Sequence, residues 1–346
     1  MALDLIHNIA GLFFKERMED LQEYSTQSAD LQSEQLFDLI REAENTEWGK
    51  KHDFKTIFSY QEFRERLPLM EPAVFGEYVE QMQQGVSNLL WPGLPKHFIP
   101  SQQGQLIPIS DQALDEVFYQ GLNDAYATHL LQYPESKLFG GYFARVDNAY
   151  EVDSIKQLLA LLKANEPFLS SLFNLPKQAE TAENWEKELG NNSISAFKGS
   201  PEGLALLCKE LEKQPMTTAL EKVKQAEVLF HRCMETHEKL QQRLELAQLP
   251  IPVQSSCMAP EGFFGIQDRT GQLPFLLMLD LSTFYEFIPR ERIETATPLD
   301  ALPLEDVQLE TDYQLVVSNC SGLWRYRWNG PLFRFVSINP YRFILV

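Results

Sequence analysis

The sequence predicts an α/β chain in which βα units with a mainly parallel sheet lead into an antiparallel, β-rich final part. Three observations predict it. Residues 1–97 carry apolar side chains at helical spacing. Residues 98–249 alternate short strand-like runs with amphipathic helical stretches. From residue 250 to 346 the helical pattern stops, and turn residues separate successive strand-like runs. The three stretches read as parts of one large domain.

The elements follow in order. Leu5, Ile6, Ile9, Leu12 and Phe13 recur at helical spacing, so an amphipathic helix is expected over about 3–24. Asp4, His7 and Asn8 interrupt the apolar run and no basic stretch precedes it, which argues against a secretory signal. A second helix is expected over 31–44, with Leu31, Leu36, Leu39 and Ile40 apolar, and then a turn over 45–54. Ser59 with Glu62 three positions later reads as a capping box opening a short helix that Pro68 ends. Glu71 to Gln84 reads as the next helix.

In the middle part, Gln105 to Ile109 is an expected strand, and Ser110 an expected cap for a helix over 111–131. Lys137 to Arg145, Ser193 to Phe197 and Ala226 to His231 read as strands. Helices are expected over 154–164, 180–189, 202–213 and 235–247. In the last part, strands are expected over 253–257, 275–279, 283–288, 313–318, 323–327 and 332–336, forming an antiparallel sheet or distorted barrel.

Composition narrows the function. The chain has 346 residues and is 44% hydrophobic, which suits a sizeable core. Its formal charge is −19, with 30 basic and 49 acidic residues. That field repels nucleic acid and anionic membrane, so neither is expected as a partner. No run approaches the roughly 20 apolar residues of a membrane span. The four cysteines, Cys208, Cys233, Cys257 and Cys320, are widely spaced with no CxxC, a reduced, cytoplasmic pattern.

The stretch from Trp91 to Ser110, WPGLPKHFIPSQQGQLIPIS, is the most informative. Further segments run in order along nearly the whole chain: NTEWGKKHDF from Asn45, EGFFGIQDR from Glu261, FYEFIP from Phe284, GLWRYRWNGPLFRF from Gly322, then NPYRF. Together these resemble the auxin-responsive Gretchen Hagen acyl-acid amido synthetases, plant enzymes with bacterial relatives in the acyl-adenylate-forming superfamily. The resemblance implies the large N-terminal domain of an adenylate-forming enzyme. It also implies ATP and magnesium as cofactors, a carboxylic acid as substrate and an amine as acceptor.

The departures from that pattern cluster where nucleotide chemistry belongs. The family carries a loop like SSGTTSGKSK between its aromatic and FIPVS. Here only Ile99 to Gln105 fills that interval, with one glycine, Gly104, and no lysine. A phosphate loop presents successive backbone N–H groups to an anionic oxygen, and this segment is short of residues for it. The family's SE pair reads Pro260-Glu261. Its His-Gly-Gly turn reads His231-Arg232-Cys233. Its GD pair, whose aspartate grips the ribose hydroxyls, reads Gly330-Pro331. The family's smaller C-terminal domain would follow Val346, so a lid domain is expected to be absent.

By the resemblance, the vestigial nucleotide site comprises Ser101, Gly104, Glu261, Gly262, Tyr285, Glu286 and Gly330. No confident catalytic residue emerges, and Glu261 would be a metal ligand only if magnesium-ATP binds. The alternative for Glu261 is a carboxylate that caps a turn beside Gly262, and the alternation of FYEFI suits plain sheet residues at Tyr285 and Glu286. Trp324, Tyr326 and Trp328 alternate, so one strand would place them on one face as core, with Arg325 and Arg327 opposite. His231-x-Cys233 has too few ligands for a zinc site.

Two functions follow as expectations. The first is a non-catalytic relative that keeps the fold as a binding or interaction module, for an active paralogue, another protein or a small carboxylic acid. The second is a divergent ATP-dependent acyl-acid amido synthetase that needs a partner chain. In either case Gln102, Gln103 and Pro331 are expected to fill part of the cleft.

Overall fold

The computed structural model describes residues 14–146, 153–164, 182–213, 218–269 and 271–346. Its frame is a 12-stranded mixed sheet in the order β10-β9-β11-β13-β14-β8-β7-β6-β5-β4-β3, with β12 pairing on β11. The strands are β3 (Tyr142–Arg145), β4 (Ile194–Lys198), β5 (Val228–Cys233), β6 (Val253–Ala259), β7 (Gly262–Ile266), β8 (Phe275–Leu277), β9 (Thr283–Pro289), β10 (Leu302–Pro303), β11 (Asp312–Asn319), β12 (Tyr326–Arg327), β13 (Phe333–Ile338) and β14 (Tyr341–Leu345). β3 to β6 run parallel to their neighbours, while every pairing from β6–β7 onward is antiparallel. The expected parallel and antiparallel parts are therefore two halves of one continuous sheet. A separate hairpin, β1 (His97–Pro100) with β2 (Leu106–Ile109), lies outside it.

Both faces of the parallel part are covered, and every residue of β4 is buried, Ser195 and Lys198 included. Helix Pro201–Glu212 follows β4, capped by Ser200, whose Oγ accepts from Gly203 N–H at 3.0 Å. Helix Ala219–Gln225, which the pattern did not predict, precedes β5. The region after Ser110 behaves as expected, with Ser110 Oγ accepting from Ala113 N–H at 2.9 Å. The chain there winds as a π-helix over Ala113–Tyr119 before the α-helix Gln120–Gln132.

The N-terminal helices pack onto the β-rich half. The first expected helix lies outside the described residues up to 13, and residues 14–23 are helical. Its Arg17 bridges two carboxylates, Nε and Nη2 reaching Asp124 at 2.8 and 2.7 Å and Nη2 reaching Asp280 at 2.7 Å. Helix Ser28–Ala43 buries Gln32, whose Nε2 donates to Leu279 O (2.8 Å) and Thr283 O (3.0 Å), while its Oε1 accepts from Tyr285 N–H (2.9 Å). The stretch expected as a turn over 45–54 instead contains the short helix Glu47–Lys51, because Thr46 Oγ1 caps it by accepting from Gly49 N–H. Ser59 caps helix Tyr60–Arg66, and the Glu62 carboxylate returns to Phe58 N–H at 2.8 Å, close to the expected box.

Two expected strands and one expected helix differ. The stretch 137–145 is a 3₁₀ turn over Leu138–Gly140 before β3 begins at Tyr142. The stretch 323–327 contributes only β12, two residues, because Arg325 adopts φ +48 and breaks the extended run. Helix expectation 180–189 begins outside the described residues, and the helix runs Ala182–Asn191. All four cysteines are free and buried, and burial raises each thiol above its ordinary value, Cys233 to about 12. No helix among the described residues is long and apolar enough to cross a membrane.

Candidate functional site

The segment where a phosphate loop would lie is the tip of the β1–β2 hairpin. Its tightness follows from pairing Pro100 with Leu106, which leaves residues 101–105 to reverse the chain. Ser101 organises the turn. Its N–H donates to Gln105 O at 2.7 Å, and its carbonyl accepts from Gly104 N–H at 3.0 Å. Its Oγ accepts from the N–H groups of Gln103 (3.2 Å) and Gln105 (3.1 Å). Gly104 takes φ +85, a conformation that favours glycine. Four of the five N–H groups from Ser101 to Gln105 are thus spent inside the loop. A phosphate cradle needs them pointing outward together.

The loop is also tied across to the turn between β12 and β13. Gln103 Nε2 donates to Asn329 O at 2.7 Å. Beside Asn329, Gly330 lies under the Trp328 indole: a Cβ there would sit 2.0 Å from Trp328 Cζ2. Trp328 is buried, and its ring packs on Phe264 (5.3 Å between centroids) and Phe333 (5.6 Å). An indole therefore occupies the position next to the residue that, by the resemblance, would adjoin the ribose. Of the residues expected to fill the cleft, Gln103 bridges it, Gln102 is exposed at the tip, and Pro331 is half-buried.

Glu261 sits in the turn between β6 and β7, where Ala259 pairs with Gly262. Its backbone carbonyl accepts from Asn319 Nδ2 at 2.8 Å, which fixes the turn against the end of β11. The residue is only 2% exposed, and among the described residues no ion pair reaches its carboxylate. Burial pushes the carboxyl up to about 7. Tyr326 lies near enough to feel it: burial first, then the Glu261 charge, raises its phenol. Gly262 is crowded by the Phe264 ring, 2.9 Å from a Cβ built there.

Tyr285 and Glu286 face opposite ways from β9, as alternation requires. Tyr285 is buried, and its ring lies 6.5 Å from that of Phe264, behind the Glu261 turn. Glu286 points away to a buried ion pair. Arg325 Nε and Nη2 donate to its two oxygens, both at 2.8 Å, and Tyr60 Oη donates to Oε1 at 2.9 Å. Arg325 places its remaining N–H groups on Arg64 O (2.9 Å), Leu67 O (2.7 Å) and Pro298 O (2.7 Å). All five guanidinium donors are used, which holds the left-handed backbone in place. Arg325 thus shares the interior with its aromatic neighbours rather than facing out opposite them. Trp324 packs on Phe54, Tyr326 on Phe75 and Trp328 on Phe264, three separate core contacts rather than one wall.

The structure brings Ser101, Gly104 and Gly330 together through Gln103 and Asn329, and links Gly262 to Gly330 through Phe264 and Trp328. Tyr285 stands behind this group and Glu286 outside it. Asn319 and Trp328 were not singled out as site residues by motif, although the spacing marked Trp328 as core. His231 is buried; burial and the nearby Arg243 push its imidazole down to about 3, and Nδ1 lies 3.3 Å from Ser255 Oγ.

Two domain descriptions match the sequence: the GH3 family N-terminal domain over residues 17–184 and the GH3 family central domain over residues 276–340. The chain belongs to the GH3 family. Its fold is similar to that of the GH3.15 acyl acid amido synthetase in complex with 2,4-DB, with a TM-score of 0.68 at 15% identity, over 96% of this chain and 69% of that one. A second GH3.15 structure gives 0.67 at 16% identity, over 96% and 70%. An open conformation of 2-hydroxyisobutyryl-CoA ligase, in complex with 2-HIB-AMP and CoA, gives 0.56 at 13%, over 92% and 68%. No curated protein matches the sequence. The GH3 and adenylate-forming fold is thereby shared at low identity, and the GH3 family is one of ATP-dependent acyl acid amido synthetases.

Proposed function

We propose that this GH3-family protein keeps the family fold as a binding or interaction module and does not adenylate carboxylic acids. The observation that carries the reading is the self-satisfied turn at Ser101–Gln105, whose N–H groups are directed inward. Adenylation requires a triphosphate to be neutralised and aligned for in-line attack. Removing preorganised donors of this kind costs on the order of 3–4 kcal/mol of transition-state binding apiece. The Trp328 ring over Gly330 and the Gln103 bridge to Asn329 add bulk where a ribose would need room. The residues present do not fit a magnesium nucleotide. The module's partner is an active paralogue or another protein, or its ligand is a small carboxylic acid.

One observation favours a second reading, a divergent amido synthetase completed by a partner chain. Glu261 keeps a buried carboxylate with no cation beside it among the described residues. Burial of such a group costs free energy when it is ionised, and a bound magnesium ion would offset that cost. Calorimetric titration with ATP, with and without magnesium, separates the two. Micromolar binding overturns the first reading. Absence of binding into the millimolar range overturns the second.

A further inference from the structure

Three sulfur-bearing side chains meet where β5 ends beside β6. Cys233, the last residue of β5, is the register partner of Cys257 in the parallel strand β6. Register partners on neighbouring parallel strands leave the sheet on one face, from backbones about 4.8 Å apart. Met234 follows β5 directly, and Cys257 Sγ lies 3.8 Å from its Sδ. All three side chains belong to the same core cluster. Cys257 is wholly enclosed, whereas Cys233 and Met234 keep slight exposure at the end of β5. Burial raises both thiols, and Cys233 adds to the rise at Cys257, so the two stand within electrostatic reach of each other. Protonated and enclosed, they are poor nucleophiles. Their chemistry is that of ligands.

Around one ion with metal–sulfur bonds of about 2.3 Å, three sulfurs in a plane stand about 4 Å apart. The 3.8 Å separation of Cys257 and Met234 fits that arrangement, and so does the pairing of Cys233 with Cys257. We propose that Cys233, Cys257 and Met234 bind one soft monovalent cation, copper(I), in a three-sulfur site. Thiolate and thioether ligands select copper(I). Zinc takes four ligands from thiolate, imidazole and carboxylate. Among the described residues, no three His, Cys, Asp or Glu side chains are placed to hold an ion. Binding replaces two S–H bonds with two copper–thiolate bonds and releases two protons to solvent. The thioether donates a lone pair, and copper keeps its oxidation state. A coordinated thiol is deprotonated by the metal itself, so the raised values do not bar the site. The inference goes beyond the binding-module reading, and neither outcome of the ATP titration bears on it.

The test is anaerobic titration of the reduced full chain with copper(I), followed by thiolate-to-copper absorbance and by melting temperature. A break at one copper per chain is expected, with a rise in melting temperature because the ion binds the native arrangement. Cys233→Ala and Cys257→Ala are each expected to abolish the break. Met234→Leu, which nearly conserves volume, is expected to weaken binding about tenfold. Joint replacement of the other two thiols, Cys208→Ala with Cys320→Ala, is expected to leave the break in place. If the variants at Cys233 and Cys257 fail to fold, Met234→Leu decides. No break at one equivalent overturns the proposal. So does a folded Cys257→Ala or Met234→Leu that binds like the parent, loss of the break in the folded Cys208 and Cys320 variant, or zinc bound as tightly as copper(I).

Discussion

Two buried carboxylates, 25 positions apart in the same sheet half, have opposite surroundings. Glu286 on β9 meets a guanidinium and a phenol, with every donor of Arg325 accounted for. Glu261 in the β6–β7 turn is equally hidden, yet no cation faces it among the described residues. The difference teaches which of the two belongs to the architecture. Through Arg325, Glu286 joins the segment around Arg64 and Leu67 to the sheet, so its charge is part of how helix and sheet adhere. Glu261 contributes through its backbone carbonyl, which Asn319 holds, while its charged end opposes folding.

The contrast can be broken by substitution. The largest effect is expected at Glu286→Ala, which leaves Arg325 buried without its counter-charge and costs about 3–5 kcal/mol. A shift in the denaturant midpoint measures it, and a loss below 1 kcal/mol, about the value of an exposed pair, would erase the distinction. Next comes Glu261. Its carboxyl rises from 4.5 to about 7, so the native state keeps a proton that the unfolded chain releases between those values. Stability therefore falls as pH rises through that window and levels off above it, by about 3 kcal/mol in all at about 1.36 kcal/mol per unit. Glu261→Gln is expected to remove that decline, seen as a flatter profile of unfolding free energy against pH. If magnesium-ATP flattens the parent's profile instead, the carboxylate has found a cation and the synthetase reading gains.

Smaller effects sharpen the same boundary. Gly330→Ala forces the Trp328 ring to move and is expected to cost about 1–3 kcal/mol, read as a lowered melting temperature. Unchanged melting would show that the indole yields easily. Gln103→Ala removes only the exposed bond to Asn329 and is expected to cost no more than about 1 kcal/mol by the same measurement.

Much of this was legible in the sequence because local rules acted alone. Ser110 and Ser59 cap helices where spacing placed them, since a hydroxyl before an amphipathic run has a nearby N–H to accept from. The shortened loop was visible as missing residues. What the loop does with its N–H groups was not, because that depends on the side chain of Ser101 folding back over three residues. β1 was missed because prolines flank and end it, and a hairpin outside the main sheet carries no long apolar run. Arg325 was misplaced because alternation assumes extended backbone, and its φ of +48 is set by distant carbonyls at Arg64, Leu67 and Pro298.

Gln32 carries a last consequence. Its carboxamide clasps Leu279, Thr283 and Tyr285, partners about 250 positions later in the chain. During synthesis, helix Ser28–Ala43 leaves the ribosome with its apolar stripe and this amide uncovered, and must wait until β9 emerges to cover them. At about 5–20 residues per second the wait is on the order of 10–50 seconds. Early emergence does not bring early burial here, and refolding from denaturant is expected to be slowed by the same long-range closure.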